Sequence, residues 1–236
     1  MQLAGEWWKA SKPLTVASVA TQEDIDFLCS NPAPADLVEL RLDILVDLGI
    51  DVSTTLNKLN SHNLLITARC ATEGGIGELS ESGRRILLLD ALPYASAVDI
   101  EVKNLEAFAD IVTAAKQQNV PVIGSFHDFG KTPAASVYAD VIATAQTDKV
   151  DIFKCAARLH TLKDLQVLID LFTNTNLPLA AMGMGALGPS SRVILAQHGS
   201  LLNYGYVTGT PTAPGQWPTA LLRDAILNSP QISAAV

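Results

Sequence analysis

Eight short apolar runs alternate with segments of helical period along the whole chain, and this alternation restricts the fold more than any single residue does. The runs are "LTVASVA" (14–20), "LVELRLD" (37–43), "NLLITAR" (63–69), "AVDIEV" (97–102), "VPVIGSFHD" (120–128), "VDIFKCAAR" (150–158), "LPLAAMGM" (177–184) and "LLNYGYV" (201–207). Each has a strand-favouring composition and is only a few residues long. Among the intervening segments, "LEAFADIVTAAKQQN" (105–119) puts Leu105, Phe108, Ile111, Val112 and Ala115 on one face, and "LKDLQVLIDLFTN" (162–174) is nearly as regular. The runs start about 27 residues apart, with no sequence repeat at that period. Strict alternation implies parallel pairing through right-handed crossovers. Eight such units in 236 residues are what a (β/α)8 barrel needs. The expectation is therefore an α/β fold, a (β/α)8 TIM barrel formed as a single domain over residues 1–236. A doubly wound open sheet is the runner-up, but the GxGxxG loop of its dinucleotide-binding form is missing: the first run continues as "VASVATQED".

Hydrophobic residues make up 48% of the chain and charged residues 17%, which suits a large packed core. The net charge of -8 argues against nucleic acid or an anionic membrane as partner, while leaving room for a small anionic substrate held by local arginines. Cys29, Cys70 and Cys155 form no CxxC pair, so neither a disulfide framework nor a zinc site is expected. The first twenty residues lack a basic region followed by an apolar core, and no apolar run reaches membrane-spanning length. These features predict a cytoplasmic protein.

The polar residues inside the runs are ordered. In "VELRLD", Glu39, Arg41 and Asp43 share one parity and Val38, Leu40 and Leu42 the other, so one face is charged and one apolar. Thr67 and Arg69 share a face, as do Ser125 and His127, and Lys154 lies opposite Phe153 and Cys155. The charged positions gather toward the C-terminal ends of the runs, where barrel active sites are built. Charges directed into a barrel interior must be paired. An amine, an imidazole, carboxylates and arginines together have a chemical logic. A neutral lysine, its pKa lowered by burial beside other cations, attacks a ketone to form an imine; a histidine then moves protons, and an arginine fork holds a carboxylate.

"VELRLD", "TARCATEGG", "GSFHDF", "DIFKCA", the "SR" of "GPSSR" and "APGQ" occur in the order found in type I 3-dehydroquinate dehydratases, and the chain resembles that family from about Leu14 to Gln216. The resemblance implies dehydration of 3-dehydroquinate to 3-dehydroshikimate in the shikimate pathway, through a lysine imine and without a cofactor. It implies Lys154 as the imine-forming lysine, His127 as general acid and base, and Glu73 as the group that orients His127. Arg192 would clamp the substrate carboxylate, with Gln216 assisting from a mobile lid. Glu39, Arg41 and Arg69 would bind the ring hydroxyls and neutralise one another. Met182 and Met184 would line the substrate ring. Thr212 stands where many relatives have serine and keeps the hydroxyl. "MGMGALGPSSR" is glycine-rich, which suggests a mobile loop after the seventh strand. The resemblance further implies a homodimer, and a monofunctional chain is expected because no sequence remains for a fused shikimate dehydrogenase domain.

Other residues carry structural expectations. Asp128 points away from the interior and should cap a loop, and Asp43 and Glu101 should neutralise interior arginines. Asp99 has no assigned partner. Arg84 and Arg85 should begin a solvated helix. Cys70 and Cys155 should be small core residues, and His62, His160 and His198 belong to no constellation. Trp7 and Trp8 suit either the closed end of the barrel or a partner surface. The glycines after Glu73 lack the lysine and serine of a phosphate loop. A class I aldolase would share Lys154 but not the His127–Glu73 pair with Arg192. A non-catalytic binding barrel would not need Lys154, His127 and Arg192 together.

Overall fold

The computed structural model describes residues 3, 5–9, 12–209, 211–230 and 232; Thr210 of the last loop and the remaining terminal positions lie outside the described residues. The chain runs β1 (Leu14–Val19), α1 (Gln22–Ser30), β2 (Leu37–Arg41), α2 (Leu42–Asp47), α3 (Val52–Leu59), β3 (Leu64–Thr67), α4 (Glu81–Ala91) and β4 (Ala95–Glu101). It continues with α5 (Ala109–Gln117), β5 (Val122–Asp128), α6 (Ala135–Thr147), β6 (Ile152–Arg158), α7 (Leu162–Asn174), β7 (Leu179–Met184), α8 (Gly188–Gln197), β8 (Leu202–Tyr206) and α9 (Thr219–Leu227). The strands pair in parallel in the order β7-β6-β5-β4-β3-β2-β1-β8, a nearly closed (β/α)8 barrel.

At the seam between β7 and β8, the Leu201 N–H donates to the Leu179 carbonyl at 2.8 Å. Ser200 supplies what the ladder lacks there: its Oγ accepts from the Ala181 N–H at 3.1 Å and lies 3.2 Å from the Ala181 carbonyl.

Two apolar layers follow from the alternation of side chains. Val38, Leu40, Ile66, Val98, Phe153 and Cys155 point outward and pack under the helices. Val16, Leu37, Leu65, Ala97, Ile123, Ile152, Ala180 and Leu202 point inward and fill the lower barrel. Trp7 packs against this inner layer, buried and edge-to-face with Trp8 at 5.9 Å, so it covers the N-terminal end of the barrel. The registers Ser18↔Glu39, Thr67↔Asp99 and Ser125↔Lys154 then place the next inward layer, which is polar, directly above the apolar one. Capping boxes of Thr21 with Asp24 and Thr161 with Asp164 fix the starts of α1 and α7.

Three local expectations differ from what is observed. The second strand ends at Arg41, so Asp43 lies in the first turn of α2. The helix expected over 105–119 spans Ala109–Gln117, because a 3-10 turn, Val102–Asn104, and further turns carry the chain off β4 first. Arg84 is not solvated: it is buried, donates to the Ala68 carbonyl, pairs with Glu101 and lies over the Phe108 ring. No described helix is long and apolar enough to cross a membrane.

Candidate active site

Lys154 projects from the middle of β6 into the centre of the polar layer and is 4% exposed. Its Nζ donates to Asp99 Oδ2 at 2.9 Å, lies 3.8 Å from Glu39 Oε1, and sits 4.1 Å from the centre of the Tyr204 ring. The nearest groups are thus acids and an aromatic face, not the cations expected from the sequence. Asp99 also pairs with Arg69 at 2.9 Å and accepts from Ser125 Oγ. Burial alone would raise the Asp99 pKa, but Arg69 and Lys154 beside it hold the carboxyl well below its usual range.

Asp43 and Glu101 neutralise interior arginines as expected, whereas Glu39, Arg41 and Arg69 make no ion pair with one another among the described residues. Arg41 forms a two-pronged pair with Asp43 at 2.7 and 3.0 Å. Arg69 bonds to Asp99 and Glu101, and Glu101 also holds Arg84. Glu39 accepts from Ser18 Oγ at 2.7 Å and from Thr67 Oγ1 at 3.0 Å. Arg41 therefore has its own acid, Arg69 and Arg84 share Glu101, and Glu39 is left to hydroxyl groups and to Lys154.

His127 lies one residue before the end of β5, and Glu73 reaches it from the 3-10 turn Ala71–Glu73. Glu73 Oε2 accepts from the His127 backbone N–H at 3.0 Å and lies 2.9 Å from Nδ1. That contact assigns the proton to Nδ1 and leaves the Nε2 lone pair free. Burial first, then the Arg69 and Lys154 charges, hold the His127 pKa well below the usual imidazole range. Burial raises the Glu73 pKa, opposed by Arg69 and Lys103. Both glycines after Glu73 are needed where they stand. Gly74 has φ +84, and a Cβ there would lie 2.4 Å from the Phe129 ring; one on Gly75 would lie 2.3 Å from the Arg69 carbonyl. Arg41 donates to the Gly74 carbonyl at 3.1 Å, so the turn that carries Glu73 is clamped from both sides.

The other wall comes from β7, α8, β8 and the loop after β8. Met182 and Met184 project inward from β7 and are buried. Arg192 on α8 is 2% exposed. It donates through Nε to the Gly215 carbonyl at 3.1 Å and through Nη1 to the Tyr204 carbonyl at 2.8 Å. It makes no ion pair with a carboxylate among the described residues, and burial pushes its pKa down to about 10. Gln216 holds the loop together: its Oε1 accepts from Thr212 N–H at 2.7 Å, Thr212 Oγ1 at 2.9 Å and Ala213 N–H at 3.2 Å. Asp24 of the α1 cap accepts from Thr208 and ties down the loop's start.

These walls enclose a cavity of about 60 Å³. Glu39, Arg41, Arg69, Glu73, His127, Lys154, Met182, Met184, Arg192, Thr212 and Gln216 all line it, so the structure brings every sequence-nominated residue to one place. A larger groove of about 500 Å³ near Trp7 and Trp8, at the opposite end of the barrel, contains none of them. Sequence reasoning left Asp99 without a role and missed Tyr204. The parity of "AVDIEV" could have found Asp99, since it shares the inward face with Ala97 and Glu101; nothing local singled out Tyr204. Of the cysteines, Cys155 is in the outer core, and burial pushes its thiol up to about 12, but Cys70 is only half-buried and contacts Thr72. Asp128 accepts from the N–H groups of Gly130 and Lys131, a loop cap as expected. Among the described residues, no cluster of His, Cys, Asp and Glu has a metal-binding arrangement.

The family model described as type I 3-dehydroquinase matches residues 14–233. A 3-dehydroquinate dehydratase of Methanothrix thermoacetophila is 33% identical over 214 residues, covering 91% of each chain. One from Methanocella arvoryzae is 31% identical over 206 residues, 86% of this chain and 91% of its own. Among solved structures, 3-dehydroquinate dehydratase of Geobacillus kaustophilus superimposes with a TM-score of 0.81 at 26% identity, covering 92% of this chain and 90% of its own.

Proposed function

The chain belongs to the type I 3-dehydroquinase family and is a lyase; on that premise we propose that it removes water from 3-dehydroquinate through an imine on Lys154. One observation carries the reading: a buried amine and an imidazole with a free Nε2 line the same small cavity as an arginine that has no acid partner among the described residues. The Lys154 ammonium passes a proton to His127 Nε2 and adds to the ketone as the free amine; that proton returns to the carbinolamine oxygen, which leaves as water and gives a positively charged imine. That charge replaces the ammonium charge in place, so Asp99, Glu39 and the Tyr204 ring face already oppose it and little reorganisation is required. His127 Nε2 takes the proton from the carbon beside the imine, whose nitrogen accepts the electron pair. The same nitrogen of His127 returns the proton to the departing hydroxyl, and hydrolysis of the imine frees 3-dehydroshikimate and the amine. A depressed His127 pKa suits this work, because an imidazole that is neutral at pH 7 is ready as a base.

Glu73 fixes the tautomer of His127, and Arg192 takes the substrate carboxylate as a charge-assisted pair. Arg41, Arg69 and Glu39 face the ring hydroxyls, Met182 and Met184 its apolar edge, and Thr212 and Gln216 close the cavity from the loop. We place the enzyme in the cytoplasm as a homodimer working on a small-molecule substrate without a cofactor. The test is borohydride reduction in the presence of 3-dehydroquinate, followed by peptide mass spectrometry. A reduced adduct on Lys154 is expected; product formation with no adduct on that residue would refute the imine.

A further inference from the structure

The end of β4 delivers three charges at alternate positions. Asp99 meets Lys154 and Arg69, Glu101 meets Arg69 and Arg84, and Lys103, in the 3-10 turn that follows, meets Glu73. The first two belong to the charged layer around the amine. Lys103 stands outside the cavity lining, yet its Nζ lies 3.1 Å from Glu73 Oε1 and also donates to Thr72 Oγ1. The two oxygens of Glu73 are thus divided: Oε2 serves the backbone N–H and Nδ1 of His127, and Oε1 serves Lys103. From these contacts we infer that Lys103 is a positioning residue for the reaction, holding Glu73 ionised and unable to turn its other oxygen toward His127. This rests on the roles given above to His127 and Glu73.

The physical need for such a group is visible in the surroundings. Glu73 is 6% exposed. Around it stand Arg69 and the half-buried Cys70 beyond the end of β3, Glu101 and Lys103 at the end of β4, and His127 on β5. Burial and Glu101 favour its neutral form, and the charges that oppose them are Arg69 and Lys103, beside the hydrogen bonds from His127. Arg69 is already committed to Asp99 and Glu101, so Lys103 is the one cation in direct contact with Glu73 among the described residues. His127 is faced in turn by Arg41, Arg69, Lys154 and Asp99, and so depends on Glu73 for its orientation. The Lys103 side chain is 45% exposed, so its influence should weaken as salt screens it.

The sign follows directly. Removing the cation raises the Glu73 pKa, so Glu73 takes up its proton at higher pH and the acid limb of activity moves upward. The experiment compares pH–rate profiles of the wild type, Lys103→Met and Lys103→Arg. In Lys103→Met, the acid limb should move up by about half to one pH unit, with a drop of about threefold to tenfold in kcat at neutral pH and little change in KM. Lys103→Arg should restore both. High salt should shift the wild type toward the Met variant while leaving that variant unmoved. Profiles of Lys103→Met and wild type that superimpose would overturn the inference. Borohydride labelling separates this from failure of the imine: an unlabelled Lys154 in the wild type refutes the imine, whereas labelling in both proteins with an unmoved acid limb refutes the role of Lys103 alone.

Discussion

From β2 to β6, each charged group of the cavity has a partner of opposite sign within the chain: Arg41 has Asp43, Arg69 has Asp99 and Glu101, Lys154 has Asp99 and Glu39, and Glu73 has Lys103. From β7 through α8 to the loop after β8, the lining carries a single charge, Arg192, and it bonds to backbone carbonyls. The two sides teach different lessons about buried charge. A network in which each member fixes the next cannot easily rearrange, so it holds pKa values and tautomers constant. A guanidinium met by carbonyl dipoles keeps much of its capacity to attract an anion, because no carboxylate among the described residues has neutralised it. The first side is suited to moving protons, the second to capturing a carboxylate.

The largest test of this division is Lys154→Ala. Turnover should fall by about ten-thousandfold or more, and borohydride labelling should vanish. Near wild-type rates would remove the amine from the reaction. Next is Arg192→Gln, which should lower kcat/KM about a hundredfold, mainly through KM, while Lys154 still labels at saturating substrate. A loss confined to kcat would mean that Arg192 belongs functionally with the proton-moving side.

Ser200→Ala probes the seam that joins the two sides. It leaves the Ala181 N–H without its acceptor and should cost about 1–3 kcal/mol in denaturant unfolding, with kcat within about twofold of wild type. The smallest effect concerns His127. Its folded pKa lies below the free value of 6.5, so below pH 6.5 the unfolded chain binds the proton that the folded chain refuses. Its contribution to stability is therefore lost as the pH falls below 6.5. The unfolding midpoint of His127→Gln should accordingly change less between pH 7 and pH 5 than that of the wild type.

Much of this architecture was legible in the chain because the signals are local. Alternation of strand and helix, and of inward and outward side chains within "VELRLD" or "DIFKCA", depends on neighbours two to four residues apart. The helix over 162–174 is observed at those bounds because Thr161 and Asp164 cap it from within the same segment. What escaped notice depends on partners distant in sequence. Asp99 matters because it meets Lys154, 55 residues away, and Arg69. Arg84 reads as a solvated helical arginine until β4 supplies Glu101 beneath it. Tyr204 looks like any barrel-lining aromatic until the amine is placed on its ring. The charge balance around Lys154 was likewise invisible, since parity shows which residues face inward but not which of them touch.

Arg192 has a consequence for how this protein can be improved or harmed. A buried cation with no counter-ion among the described residues is a standing strain on the fold, so the residue best placed to seize a carboxylate is also one the fold would be sturdier without. Screening variants for heat resistance alone would favour an apolar side chain such as methionine at this position, and would select a tougher barrel that no longer recognises an acid.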